Sequence, residues 1–177
     1  MSIESCFISI PCVREERVEK IPLFAQMAKS VSHEKGDLFK VADRDSIKSW
    51  AIVHCISEDC CMGKGVAVLF KKRFGGVDEL KKQVAGGKKT GSAAVLERED
   101  RLVFYLITKK FYYNKPTYQS LEAALKDMVS VMAERGVDGC VMPRIGCGLD
   151  RLEWEKVENI IEEVFSEKKV SALVCTL

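Results

Sequence analysis

The chain has 177 residues, of which 47% are apolar and 31% charged, with a formal net charge of +2. That length suits one domain with a substantial core of its own, and the composition is ordinary for a globular protein. The near-neutral charge excludes a chain organised around a global nucleic-acid-binding field and leaves Lys71-Lys72-Arg73 and Lys109-Lys110 as local basic patches. In chain order, residues 1–33 read as an N-terminal extension of unknown role. It has a short strand over Cys6–Ile10 and weak helical character from Arg14 to Lys20, ahead of the helix-breaking Pro22. Gly36-Asp37-Leu38-Phe39 reads as a turn in which Asp37 bonds its own backbone.

From Lys35 onward short apolar segments alternate with helical ones. Strands are predicted over Trp50–Ile56, Ala93–Leu96, Leu102–Ile107, Gly139–Met142 and Val170–Cys175. Glu97–Asp100 forms the polar turn of an antiparallel hairpin. Helices are predicted over Val66–Lys72, Val77–Gln83, Tyr118–Arg135 and Glu153–Phe165. The third places Leu121, Leu125, Met128 and Met132 on one face. The last does the same with Trp154, Val157, Ile161 and Val164, so each buries one side against a sheet. The pattern predicts a three-layer α/β/α domain with a central mixed β-sheet, and ligands of such sheets sit at loops beyond the carboxyl ends of strands.

Eight cysteines lie at irregular positions, and Cys55, Cys140 and Cys175 fall inside apolar runs where a thiol packs as a small hydrophobe. A disulfide framework is not expected, and a reducing intracellular setting is. The start lacks a basic n-region, so no signal peptide is expected, and no apolar run reaches the length of a membrane span.

Two glycine-bearing loops follow predicted strands: Cys60-Cys61-Met62-Gly63-Lys64-Gly65 and Arg144-Ile145-Gly146-Cys147-Gly148-Leu149-Asp150. Such glycines let backbone amides approach a ligand's phosphates, and the helix after the second loop adds partial positive charge. Together they suggest a cradle for a diphosphate. The first loop is not a P-loop, because the Gly-x4-Gly-Lys-Ser/Thr arrangement is absent. Asp150, three residues before Glu153, fits an N-cap, and spacing alone favours that role over a catalytic one. Lys109 and Lys110 end a strand and read either as solvated charges or as an amine nucleophile. Cys147 reads as a small loop residue rather than a thiol nucleophile. His54-Cys55 with Cys60-Cys61 lacks the second ligand pair of a zinc site, so no metal is assigned.

Taken together, Lys35-Gly36-Asp37-Leu38-Phe39, His54-Cys55-Ile56-Ser57-Glu58-Asp59-Cys60, Met62-Gly63, Gly65–Lys72 and Pro143–Leu152 resemble a macrodomain. They are most similar to the branch of terminal ADP-ribose protein glycohydrolases, also called O-acetyl-ADP-ribose deacetylases. Tyr105–Lys110 and Lys115-Pro116-Thr117-Tyr118 agree. The resemblance spans residues 34–177, with Val41–Ser49 and Lys82–Gly91 longer than the family's usual loops. It implies a macrodomain fold and a pocket for ADP-ribose. Asp37 and Leu38 would contact the adenine side, with Leu177 beside it. Ser57 and Gly63 would line the pocket, and Arg144, Ile145, Gly146, Cys147, Gly148 and Leu149 would wrap the diphosphate and distal ribose. The family's nucleophilic lysine falls on Lys109 and its acid on Asp150. The implied activity is release of mono-ADP-ribose from glutamate or aspartate esters on proteins, and deacylation of O-acetyl-ADP-ribose, without cofactor or metal. The implied partners are ADP-ribosylated proteins, ADP-ribose and O-acetyl-ADP-ribose, with a weak nucleic-acid or poly(ADP-ribose) contact and no membrane. A monomer in nucleus and cytoplasm, acting in the DNA damage response, is the corresponding expectation. A non-catalytic ADP-ribose reader is the alternative; it needs the glycine loops but neither Lys109 nor Asp150.

Overall fold

The computed structural model describes residues 29–98 and 101–177. The readings on Cys6–Ile10, on Arg14–Lys20 and on Glu99–Asp100 lie outside the described residues. The elements run β1 (Val31–Lys35), α1 (Leu38–Ala42), a 3₁₀ turn (Asp45–Ile47), β2 (Ala51–Ser57), α2 (Val66–Phe74), α3 (Val77–Ala85), β3 (Ser92–Arg98), β4 (Arg101–Lys109), α4 (Tyr118–Glu134), β5 (Gly139–Pro143), α5 (Trp154–Lys168) and β6 (Ser171–Thr176).

The strands form one sheet in the order β1-β6-β5-β2-β4-β3. Every neighbouring pair is parallel except β3 with β4, the antiparallel hairpin, where Ser92 faces Ile107 and Arg98 faces Arg101. Successive side chains of a strand point to opposite faces, so β2, covered on both sides, is apolar almost throughout. Ala51 and Val53 enter one core, Ile52 and Ile56 the other. The first core is closed by α4 and α5 and the second by α1, α2 and α3. The predicted stripe on α4 is wholly buried: Leu121, Leu125, Met128 and Met132 are all at 0% exposure. Each such side chain contributes about 1.5–3 kcal/mol relative to an exposed one. The result is the expected α/β/α sandwich around a mixed sheet.

Two elements differ from the sequence reading. The edge strand β1 begins at Val31, upstream of the boundary read at residue 34, and pairs with β6 from Val31↔Ala172 to Lys35↔Thr176. Only Val31 in it is buried. Its N-terminus is fixed by the Glu162 carboxylate, which accepts from the Ser30 and Val31 amides at 2.7 and 2.9 Å. The turn at Asp37 continues into α1, because Asp37 Oδ1 accepts from the amides of both Phe39 and Lys40 and so caps a helix.

Parallel pairing puts the carboxyl ends of β1, β6, β5, β2 and β4 on one edge. The chain leaves β2 for α2 on one face and leaves β5 for α5 on the other. These divergent exits open a crevice between the ends of β2 and β5, the usual ligand position in open α/β sheets.

Candidate functional site

Lys109 is the last residue of β4. Its register against β2 is shifted by one residue, so that Ser57 pairs with Lys109 where Ile56 pairs with Ile107. The neighbouring Thr108 carbonyl accepts from Ser120 Oγ at 2.7 Å. Ser120 also completes a capping box with Thr117 at the start of α4, so that helix is pinned to the strand end carrying the lysine. The Lys109 ammonium donates to Asp150 Oδ1, and the two side chains are only 13% and 15% exposed.

Asp150 is therefore not the N-cap of α5. That position is Glu153, which makes no side-chain cap bond. The chain after β5 folds on itself instead: Leu152 N donates to Gly146 O at 2.9 Å and Arg151 N to Gly148 O at 3.3 Å. Arg151, at φ 60°, turns it away before the helix begins. Gly146 sits at φ 71°, and a Cβ there would lie 2.9 Å from Leu152 Cδ1, so both dihedral and space require glycine. Gly148 is different: the residue is exposed, and a Cβ there meets nothing within 4 Å.

The loop after β2 is held by Asp59, a residue the sequence reading quoted in its motif but gave no role. Asp59 Oδ1 accepts from Ser57 Oγ at 2.5 Å and from Cys61 N at 3.1 Å, while Oδ2 accepts from Tyr112 N at 2.8 Å. Burial works to raise the Asp59 pKa, but the bonds from Ser57, Tyr112 and Cys61, with the charge of Lys109, outweigh it and hold the carboxyl below its ordinary value. One carboxylate thus joins the loops after β2 and β4. Lys115 joins the loops after β4 and β5 by donating to Leu149 O at 2.7 Å, and Tyr118 Oη accepts from Glu153 N at 3.2 Å. Spacing in the chain carries no signal for these three cross-links, which are tertiary.

Other predicted residues fall along the same edge. Ser57 is buried and Gly63 exposed at the end of β2. Ile145 is 2% exposed with its side chain in the core, so it offers only backbone to a ligand. The Arg144 guanidinium lies 5.3 Å over the Trp154 ring, on the α5 side. Asp37, Leu38 and Leu177 sit at the far end, where Gly36 N donates to Thr176 O at 2.8 Å. Leu38 is buried in the second core, whereas Leu177 is fully solvated. From β6 to β4 is three interstrand steps, about 14 Å at about 4.8 Å each. An elongated ligand lying across the strand ends would span these two groups.

Two thiols near the crevice, those of Cys147 and Cys55, are not poised to react. Burial raises the Cys147 pKa, with Arg144 opposing and Asp150 reinforcing, and its Sγ donates to Ile145 O at 3.3 Å. Cys55 is likewise pushed up, by burial first and Asp150 second. His54 packs on Phe70 with ring centroids 4.9 Å apart, and its Nε2 has no partner among the described residues. Burial, then the charge of Lys109, lowers its pKa to about 3. Between the ordinary value near 6.5 and about 3 the unfolded chain binds a proton that the folded chain refuses. Stability is therefore full above pH 6.5 and is lost as pH falls, at most about 1.4 kcal/mol per pH unit. We expect His54→Leu to flatten this slope in urea unfolding curves taken from pH 7.5 to 4.5; an unchanged slope would refute the assignment.

A mixed α/β/α sheet of this order, with glycine loops after β2 and β5, is consistent with a macrodomain. The chain belongs to that family: the sequence profile of the Macro domain matches residues 53–161. It is similar to ADP-ribose glycohydrolase OARD1 of Bos taurus, 53% identical over 147 residues that cover 83% of this chain and 91% of the relative. The Homo sapiens protein of the same name is 52% identical over the same shares. Among solved structures, the macrodomain of Thermus aquaticus DarG superposes with a TM-score of 0.72 at 26% identity, covering 83% of this chain and 98% of that one.

Proposed function

We propose that the protein is an ADP-ribosyl hydrolase that releases mono-ADP-ribose from glutamate and aspartate esters and deacylates O-acetyl-ADP-ribose. The observation that carries this reading is the Lys109–Asp150 pair, which joins the end of β4 to the end of the glycine loop after β5. A module that only reads ADP-ribose needs the loops and has no use for an amine against a carboxylate. The names of its OARD1 relatives support ADP-ribose glycohydrolase activity in general, not these substrates in particular.

In this reading the nucleotide lies across the strand ends, with adenine towards Asp37 and Leu177 and the diphosphate along residues 144–149. Asp150 takes a proton from the Lys109 ammonium. The freed Nζ attacks the anomeric carbon of the distal ribose; the C–O bond to the acyl group breaks and the carboxylate leaves with the electron pair. Water then adds to that carbon as the C–N bond breaks and Nζ leaves as an amine. Asp150 returns its proton to Nζ, and the proton lost by the water passes to solvent, leaving a hydroxyl on the anomeric carbon. A carboxylate leaves readily, so this sequence assigns no step to a metal.

Gly148→Val tests the binding half of the proposal. No atom of the protein opposes the new side chain, so folding and Tm should stay within experimental error of wild type. The methyl groups would occupy the space needed by the diphosphate, and affinity for ADP-ribose in calorimetry should drop at least about tenfold. Retained affinity would remove the 144–149 loop from the binding site.

A further inference from the structure

A second cavity opens beside Lys109, of about 310 Å³, between the loop after β4 and the start of α4. Three of its lining residues are lysines, Lys109, Lys110 and Lys115, and the others, Thr90, Thr108 and Asn114 among them, are neutral and polar. No carboxylate lines it. Lys110 Nζ lies 5.5 Å over the Phe111 ring and Lys115 donates to a backbone carbonyl, so neither charge is ion-paired among the described residues. Glu58, at the rim, has Oε1 committed to the amide and hydroxyl of Thr90 at 2.8 and 2.7 Å. Inside, Thr108 is 2% exposed and its Oγ1 has no partner among the described residues. A buried hydroxyl without a partner is costly unless something arrives to bond it.

The cavity's place in the sheet gives it a role. The nucleotide loops follow β2, β5 and β6 on one side of Lys109. Thr90 precedes β3, on the other side. If the ADP-ribosyl group fills the first side, the group it is attached to must leave by the second. Between the lining residues Lys110 and Asn114 the chain carries the aromatic run Phe111-Tyr112-Tyr113, with Tyr112 and Tyr113 at 61% and 65% exposure. The loop is built rather than frayed: Phe111 N donates to Asn114 Oδ1 and Asn114 N to Phe111 O, both at 3.0 Å, and Tyr112 N is held by Asp59.

We infer that this cavity is an acceptor subsite for an acidic peptide, with Lys110 and Lys115 receiving a carboxylate next to the modified glutamate and the aromatic loop packing on the peptide backbone. The inference rests on the glycohydrolase reading above. A nucleic-acid acceptor fits less well. The basic lining is a local cluster of three lysines rather than a continuous track for successive phosphates, and the chain's net charge is only +2. Phe111 and Tyr113 also stack on each other at 5.4 Å and 11°, which occupies faces that bases would need.

The test uses two synthetic peptides, each carrying one ADP-ribosylated glutamate, flanked by aspartates in one and serines in the other. We expect wild-type kcat/KM to favour the acidic peptide by about tenfold at low salt, falling as salt rises. In Lys110→Gln the preference should shrink to within about threefold, with turnover of the serine peptide and affinity for ADP-ribose unchanged. Equal wild-type turnover of both peptides would overturn the subsite and leave the glycohydrolase intact, whereas turnover of neither would remove the glycohydrolase reading itself. A Lys110 dependence seen on an ADP-ribosylated oligonucleotide, and not on the acidic peptide, would overturn the proposal in favour of a nucleic-acid acceptor.

Discussion

Lys109→Ala should abolish release of ADP-ribose from a mono-ADP-ribosylated protein. Two neighbouring thiols are poor substitutes for the proposed nucleophile, because burial raises the pKa of Cys55 and Cys147, and His54 is buried on Phe70 in the second core. Loss of a covalent nucleophile commonly costs many orders of magnitude, so a fall of at least about 10³-fold in kcat/KM is the expectation. Affinity for ADP-ribose should stay within a few-fold, because in the proposed reading the diphosphate is held by the backbone of residues 144–149 and not by the ammonium. The change also leaves Asp150 unpaired at 15% exposure. Stability should drop by roughly 1–3 kcal/mol, below the cost at a fully buried pair. A chemical-denaturation curve taken beside the release assay separates the two effects. Unchanged turnover would remove Lys109 from the chemistry.

Asp150→Ala should produce a different failure. Attack by Lys109 is slowed but can still proceed by loss of its proton to water, whereas the carboxylate that returns the proton during hydrolysis is gone. Loss of a general acid/base slows its step by about 10²–10⁴-fold, so the intermediate should accumulate. Peptide mass spectrometry of the variant after incubation with substrate should find ADP-ribose mass added at Lys109. If turnover persists near the wild-type rate, or if the enzyme stalls with no adduct, Asp150 has another role. Its apparent capping role is already excluded, since α5 starts at Trp154 and the Asp150 carboxylate lies on Lys109.

The contrast between these residues explains what could be read from the chain. The stripes on α4 and α5, the central strands and both glycine loops are local patterns of period or residue type, and they appear where the spacing put them. Asp150 misled because Asp-x-x-Glu ahead of an apolar run is also a capping signature. Only the turn at Arg151 and the partner 41 residues upstream decide against it. Strand β1 escaped notice because VSHEK has no apolar alternation; its place comes from pairing with β6 and from Glu162. Asp59, Lys115 and Tyr118 bind the three loops together across long sequence separations, and nothing in their local context marks them for it. Without those links the crevice would have the right residues and no fixed geometry.

The arrangement also bears on how the site works before substrate arrives. Lys109 is already ion-paired and nearly buried, so substrate entry must not displace Asp150 from reach of Nζ. Asp59, Lys115 and the capping box on α4 restrain the loops around that contact. Holding reacting groups near 3–3.5 Å is itself a large part of an enzyme's rate advantage.

In the proposed reading one crevice presents backbone amides to a diphosphate and the Lys109–Asp150 pair to the sugar beyond it. A crystal structure with ADP-ribose bound tests this most directly. The account predicts the diphosphate along residues 144–149 and the anomeric carbon of the distal ribose about 3–3.5 Å from Lys109 Nζ, with Asp150 in contact. A distal ribose turned away from both side chains would contradict it and leave a protein that binds ADP-ribose without cleaving it.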